Sequence, residues 1–232
     1  MSEPATLMAT HSEAVFEKIC INAGYGVVRP VLRDAEGVAT ADFIVSTSTT
    51  EVIVEVEELR PNRDDLRQIR EMENGGCTGG GSTIGQRARI HLRRAARQLK
   101  PYSSQKIPLI VALYDNVRVG RTRVAYPMFY LQPHEIDAAM FGDRTVYVSL
   151  ASAGVIQTRP DINGGRQTLT PTQKTYVSAV AVISDADDST VIFYHNHFAS
   201  RPLTPDLFVG QNFFHLRKPT PSNAAPWQWV AR

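Results

Sequence analysis

The sequence predicts an α/β (α+β) fold, a central mixed sheet flanked by helices with extra strands on the C-terminal side, and three patterns carry that expectation. Ala41–Val45 and Val52–Glu57 are strand-like runs joined by the polar turn Ser46–Thr50, as in an antiparallel hairpin. Apolar residues at helical spacing lie on either side of that hairpin. A continuous apolar run, Ile107–Tyr114, then has the composition of a strand buried on both faces. With 232 residues and 43% hydrophobic content, the chain can bury a sizeable core.

Thr10 to Ala23 reads as a helix, because Thr10 is a capping residue with Glu13 three positions on. Val15, Phe16, Ile19 and Cys20 follow at helical spacing, and Gly24 and Gly26 end the run. After the hairpin, Arg63 to Glu73 reads as a charged helix inserted over the sheet edge. The glycine-rich stretch NGGCTGGGSTIGQ either cradles an anion at a helix start capped by Ser82 or Thr83, or only links two elements. It has neither the Gly-Lys-Ser/Thr nor the GxGxxG spacing of nucleotide loops. In the next helix Ile84, Ala88, Leu92, Ala95, Ala96 and Leu99 form the packing face.

Beyond Tyr114, Val124–Leu131 and Thr145–Leu150 read as strands around a short helix, Pro133–Phe141, and a loop rich in Gly, Pro and Thr follows. Tyr176–Ile183 and Thr190–His195 form a hairpin across the acidic turn Asp185–Ser189, extending the sheet. Trp227 and Trp229, among prolines, suggest an arm docked by aromatic burial. The organisation is thus a core over residues 1–116 and a strand-rich extension over 117–232, within the same domain or as a small lobe.

The chemistry concentrates in three carboxylates. Alternate side chains of a strand share a face, so Glu55 and Glu57 leave Val52–Glu57 on one side while Val52, Val54 and Val56 take the other. A paired strand brings Asp42 alongside and completes an oxygen-rich pocket suited to Mg²⁺ or Mn²⁺, with Asp42 and Glu55 as metal ligands. The same alternation also fits the wet face of an amphipathic edge strand.

An acid, a hairpin, and then acid-x-acid on the next strand, here Asp42 followed by Glu55-Val56-Glu57, resembles the PD-(D/E)XK phosphodiesterase superfamily. Glu57 stands where that motif has lysine, as it does in some metal-dependent restriction endonucleases of the superfamily. The resemblance covers roughly Thr10 to Asp115 and implies a restriction-endonuclease-like fold in the order helix, hairpin, helix, strand. It further implies a Mg²⁺- or Mn²⁺-dependent nuclease, with Asp42, Glu55 and Glu57 at the catalytic centre and Glu13 or Glu17 lent by the preceding helix. Gln86, Arg87, Arg94 and Gln98 match the residue kinds that the following helix carries toward such a site. The alternative within the same fold is an inactive module that binds nucleic acid or protein, for which the missing lysine speaks. The resemblance also allows a homodimer.

Between Asn74 and Tyr114 there is no Asp or Glu, while the whole chain carries a formal charge of only +2. Basic character is therefore concentrated beside the acidic motif, which suggests a polyanionic partner, a nucleic acid and foremost DNA. Arg87, Arg89, Arg93, Arg94, Arg97 and Lys100 are the candidate phosphate contacts, on a helix whose like charges are not offset by acids. An ordinary solvated helix is the plainer alternative.

His195-Asn196-His197, with Asp206 nine positions after the second histidine, resembles the zinc-binding motif of JAB/MPN metalloproteases, which makes a zinc hydrolase the distant alternative. Phe198 and Leu203 depart from that family's proline and serine. No run approaches membrane-spanning length, the N-terminus lacks the pattern of a secretory signal, and Cys20 and Cys77 suit free thiols better than a disulfide or cysteine zinc framework. The composition leads one to expect a cytoplasmic protein.

Overall fold

The computed structural model describes residues 9–30, 40–75, 83–116, 131–142, 144–150, 156–162, 167–185, 189–219 and 226–230, with the backbone alone for 72, 144–150 and 156–162. Its elements in chain order are α1 (His11–Asn22), β1 (Gly26–Val28), β2 (Phe43–Ser46), β3 (Glu51–Leu59), α2 (Arg63–Glu73) and α3 (Gln86–Leu99). They continue with β4 (Leu109–Asp115), α4 (Pro133–Phe141), β5 (Arg144–Leu150), β6 (Ile156–Ile162), β7 (Val177–Ser184), β8 (Thr190–His195), β9 (Phe213–Arg217) and β10 (Gln228–Trp229). The result is a mixed α/β architecture. Eight strands form one sheet in the order β1-β2-β3-β4-β7-β8-β9-β10, and β5 and β6 pair separately.

Within the large sheet β3, β4 and β7 run parallel, and so do β8 and β9; the remaining neighbours are antiparallel. Parallel strands need both faces covered, which is why every residue of β4 and nearly every residue of β3 and β7 is buried. One face carries α3 and α4: Ile53, Leu109, Val111, Leu113 and Val180 pack with Leu92, Ala96, Ile136 and Met140. The other face carries α1 and the loop before β9, where Val52, Val54, Ile110 and Phe193 pack with Phe16, Ile19, Leu203 and Phe208. Because β7 pairs with β4, the second half of the chain extends the same sheet.

Local chemistry sets the element ends. The Thr10 hydroxyl accepts the Glu13 amide (3.4 Å) and donates to the Glu13 carboxylate (2.8 Å), capping α1 as its sequence anticipates. Asn62 and Asp65 bond each other's amides at 2.7 and 2.9 Å and start α2, which Arg87 ties to α3 through Asp65. This helix follows β3, a strand paired on both sides. α3 begins differently from the expected Ser/Thr cap. Gly85 precedes it in the left-handed region (φ 70°), its amide donating to the Glu135 carboxylate. A Cβ at Gly85 would lie 2.6 Å from the Glu135 carbonyl oxygen and 2.7 Å from the Ala139 nitrogen, so this close α3–α4 approach requires glycine.

Other departures are informative. Ile84, expected in the packing face, is exposed in the turn before α3. The region expected to be a Gly/Pro/Thr loop contains β6, whose Pro160 faces Val146 in a two-stranded sheet, where a missing N–H can point away from the partner. The strand expected over Val124–Leu131 falls on residues outside those described, apart from Leu131. Trp227 docks as anticipated, edge-on to Tyr194 at 5.1 Å. It also packs over the Lys218 ammonium at 5.1 Å, which forms a buried ion pair with Asp137 of α4 at 2.6 Å.

Gly85→Ala combines a backbone clash with a disfavoured dihedral, and it should destabilise the fold by about 2 kcal/mol or more. Thermal or chemical denaturation measures this directly; an unchanged midpoint would mean that the α3–α4 approach is looser than described.

Candidate functional site

β3 is an interior strand, hydrogen-bonded to β2 on one side and β4 on the other. Glu55 and Glu57 nevertheless point into the α3 side of the sheet, at 2% and 6% exposure, so they are not the wet face of an edge strand. The pairing Phe43↔Val54 puts Asp42, one residue earlier, opposite Glu55. There the Asp42 carboxylate accepts the Val56 amide at 2.7 Å, continuing the β2–β3 ladder with a side chain where the backbone ladder ends. The expected meeting of Asp42 with the Glu55–Glu57 pair is therefore what the structure shows.

These carboxyls line a pocket of about 510 Å³ together with Glu13, Glu58, Arg60, His91, Arg94 and Gln98. Burial pushes the Glu55 carboxyl up to about 9, and Asp42 and Glu57 add repulsion; one of its oxygens, Oε2, is buried with no hydrogen-bond partner. Asp42 is pushed up to about 6, chiefly by burial and against the stabilising Val56 amide. Glu57 is held differently. Its carboxylate pairs with His91 Nδ1 and with Arg94 Nε, each at 3.1 Å.

Glu13 and Glu17 separate. Arg29 grips both, at 2.6 and 2.8 Å, but only Glu13 borders the pocket. Of the residue kinds that α3 was expected to supply, Arg94 and Gln98 reach the site, and the Gln98 amide oxygen is buried without a partner. His91 was missed by sequence reasoning. Its spacing with Arg94 and Gln98 (i, i+3, i+7) marks one helical stripe, yet only the docking of α3 on β3 reveals what that stripe meets. Among the described residues, no three His, Cys, Asp or Glu side chains stand close enough together to hold a metal ion.

The basic helix divides by face. Arg89, expected to contact phosphate, is buried and donates to the Ala138 carbonyl at 2.9 Å, because α4 packs on that side of α3. Arg87 is turned toward Asp65 and the Arg60 carbonyl. Arg93, Arg94, Arg97 and Lys100 remain on the exposed face. Lys174 joins them from the segment pinned to α3 by the Tyr176 hydroxyl on the Ala96 carbonyl (2.7 Å), and burial together with Arg93 and Arg97 pushes its ammonium below its ordinary value.

The histidine motif does not assemble a zinc set among the described residues. His195 bonds His215 at 3.0 Å, the His197 ring stacks on Phe141 with centroids 4.3 Å apart, and Asp206 borders a separate depression beside Gly24 and Ser46. No helix among the described residues is long and apolar enough to cross a membrane. Cys20 is buried in the core and Cys77 lies outside the described residues. Comparison with protein-family models, with curated proteins and with solved structures gave no match.

Since Glu55 has a higher pKa folded than its ordinary 4.5, the folded chain holds a proton that the unfolded chain releases. Stability should be greatest below pH 4.5 as far as this group is concerned, and should be lost progressively as the pH rises toward 9. Glu55→Gln should flatten that decline and raise stability at pH 8 by about 1–3 kcal/mol in the absence of divalent ions. Urea denaturation at several pH values tests this; a variant with the same pH slope as the parent chain would contradict the burial argument.

Proposed function

We propose that the acidic pocket is the catalytic site of a divalent-metal-dependent phosphodiesterase acting on nucleic acid, in a restriction-endonuclease-like arrangement. The observation that carries this reading is Glu55: a buried carboxyl with an unpartnered oxygen, beside Asp42, in a pocket that also opens past exposed Arg94. An apolar residue would fill that position more cheaply unless a cation were meant to compensate the charge. The order α1, β2–β3 hairpin, α3, β4 further supports the resemblance.

Asp42 and Glu55 offer hard oxygen donors that fit Mg²⁺ or Mn²⁺, the fit resting on the unpartnered Glu55 oxygen. When bound, such an ion supplies Lewis-acid stabilisation of charge developing on phosphoryl oxygens. The chain's own residues do the rest. Glu57, oriented by His91 and Arg94, is placed to position a water molecule and accept its proton. Arg94 brings from α3 a positive charge to the pocket rim, where the motif lysine is absent. Arg93, Arg97, Lys100 and Lys174 form a cationic face for the backbone, which supplies affinity with little sequence preference.

A second reading, binding without turnover, is favoured by Glu57 in the lysine position and by the lack of a three-acid cluster at ion-binding distance among the described residues. Cleavage of plasmid and single-stranded DNA with Mg²⁺ and Mn²⁺ separates the two. The nuclease reading expects cleavage that Asp42→Ala and Glu55→Gln reduce to background; cleavage surviving Asp42→Ala refutes the mechanism. No cleavage with intact, salt-sensitive binding selects the second reading.

The cationic face has its own test. Arg93→Ala combined with Arg97→Ala should weaken DNA binding and lower the slope of log affinity against log salt by about 2. An unchanged slope would remove this face from the interface.

A further inference from the structure

A second cleft, of about 710 Å³, lies at the ends of β8, β9 and β10 and shares no lining residue with the acidic pocket. Its size suits a small organic ligand. Strand register builds its wall. Gln228 pairs with Arg217, and His195 stands one residue beyond the Tyr194↔Leu216 pair, so three adjacent strands bring His195, Arg217 and Gln228 into one row.

The lining contains Arg217, Lys218, His195 and His197 but no Asp or Glu among the described residues. Lys218 is neutralised from behind by Asp137, whereas Arg217 is exposed and makes no hydrogen bond or ion pair among the described residues. The floor is tied together by hydrogen bonds: buried His195 bonds His215 (3.0 Å), which in turn bonds the Phe208 carbonyl (2.9 Å). His195 is pushed down to about 4, first by burial and then by His215 and Arg217. At the rim, Trp229 is 64% exposed although tryptophan is highly buried on average.

An anionic group recognised by a guanidinium and an amide, beside a flat ring recognised by an indole, is the chemistry of a nucleoside phosphate. We propose that this cleft binds a nucleotide, with its phosphate against Arg217 and Gln228, which share a face, and its base against Trp229 at the rim. The ligand can be a free mononucleotide or the terminal nucleotide of a strand. The assignment does not depend on cleavage at the acidic pocket.

Calorimetry and tryptophan fluorescence on the full chain test it, with nucleoside 5′-monophosphates, inorganic phosphate and a 5′-phosphorylated oligonucleotide as probes. The expected result is binding that quenches emission, weakened at least tenfold by Arg217→Ala and by Trp229→Ala, and unchanged by Glu55→Gln. Thermal denaturation confirms that both exposed-residue variants fold. Tighter binding of the oligonucleotide than of the monophosphates, lost in the same two variants, assigns a strand end; the reverse order assigns a free nucleotide. Inorganic phosphate binding as tightly as the monophosphates, indifference to either substitution, or loss of binding in Glu55→Gln would each overturn the proposal.

Discussion

Everything in this molecule turns on the interior position of β3. A strand paired on both sides and covered on both faces offers its side chains no water, so each residue on it must be apolar or find a partner. Val52, Val54 and Val56 satisfy that condition on the α1 side. Glu55 and Glu57 violate it on the α3 side, and the surroundings answer each in a different way. Glu57 receives His91 and Arg94, whereas Glu55 is left with a bare oxygen and holds its proton. Two identical carboxyls two residues apart are thereby met by different surroundings, one by cationic and ring N–H groups and the other by a buried space without a donor.

The same constraint organises the second layer. α3 has to bury Ala88, Leu92, Ala95, Ala96 and Leu99 against the sheet, and that orientation fixes the stripe His91, Arg94, Gln98 over the acids while Arg93 and Arg97 turn outward. Charge separation along one helix therefore follows from core packing. The acidic pocket and the cationic face are two sides of a single docking event.

Periodic signals made much of this legible in advance. The capped α1, the β2–β3 hairpin, α2, α4 and the β7–β8 hairpin all carry local patterns of period 3.6 or 2, or recognisable boundaries, and the common face of Asp42, Glu55 and Glu57 followed from strand alternation together with the hairpin pairing. What escaped were features set by partners distant in sequence. Arg89 carries the same charge as Arg93 one turn later, and only the presence of α4 over it decides that it is buried. His91 has no local mark, since its role exists only against Glu57. β9 and β10 are short and aromatic without alternation, and β6 contains a proline, so none announced itself. Gly85 looked like loop filler; the Glu135 backbone beside it supplies the reason for a glycine there.

The Lys218–Asp137 pair links the strand region to this helical layer. Trp227 lies over the Lys218 ammonium, Asp137 belongs to α4, and α4 in turn receives the Gly85 amide through Glu135. Peeling residues 226–230 from β9 would expose a charge pair that is stable only while dry, and the disturbance would pass by direct contact to the start of α3. The far edge of the sheet is thereby joined by direct contact, through α4, to the helix above the acids.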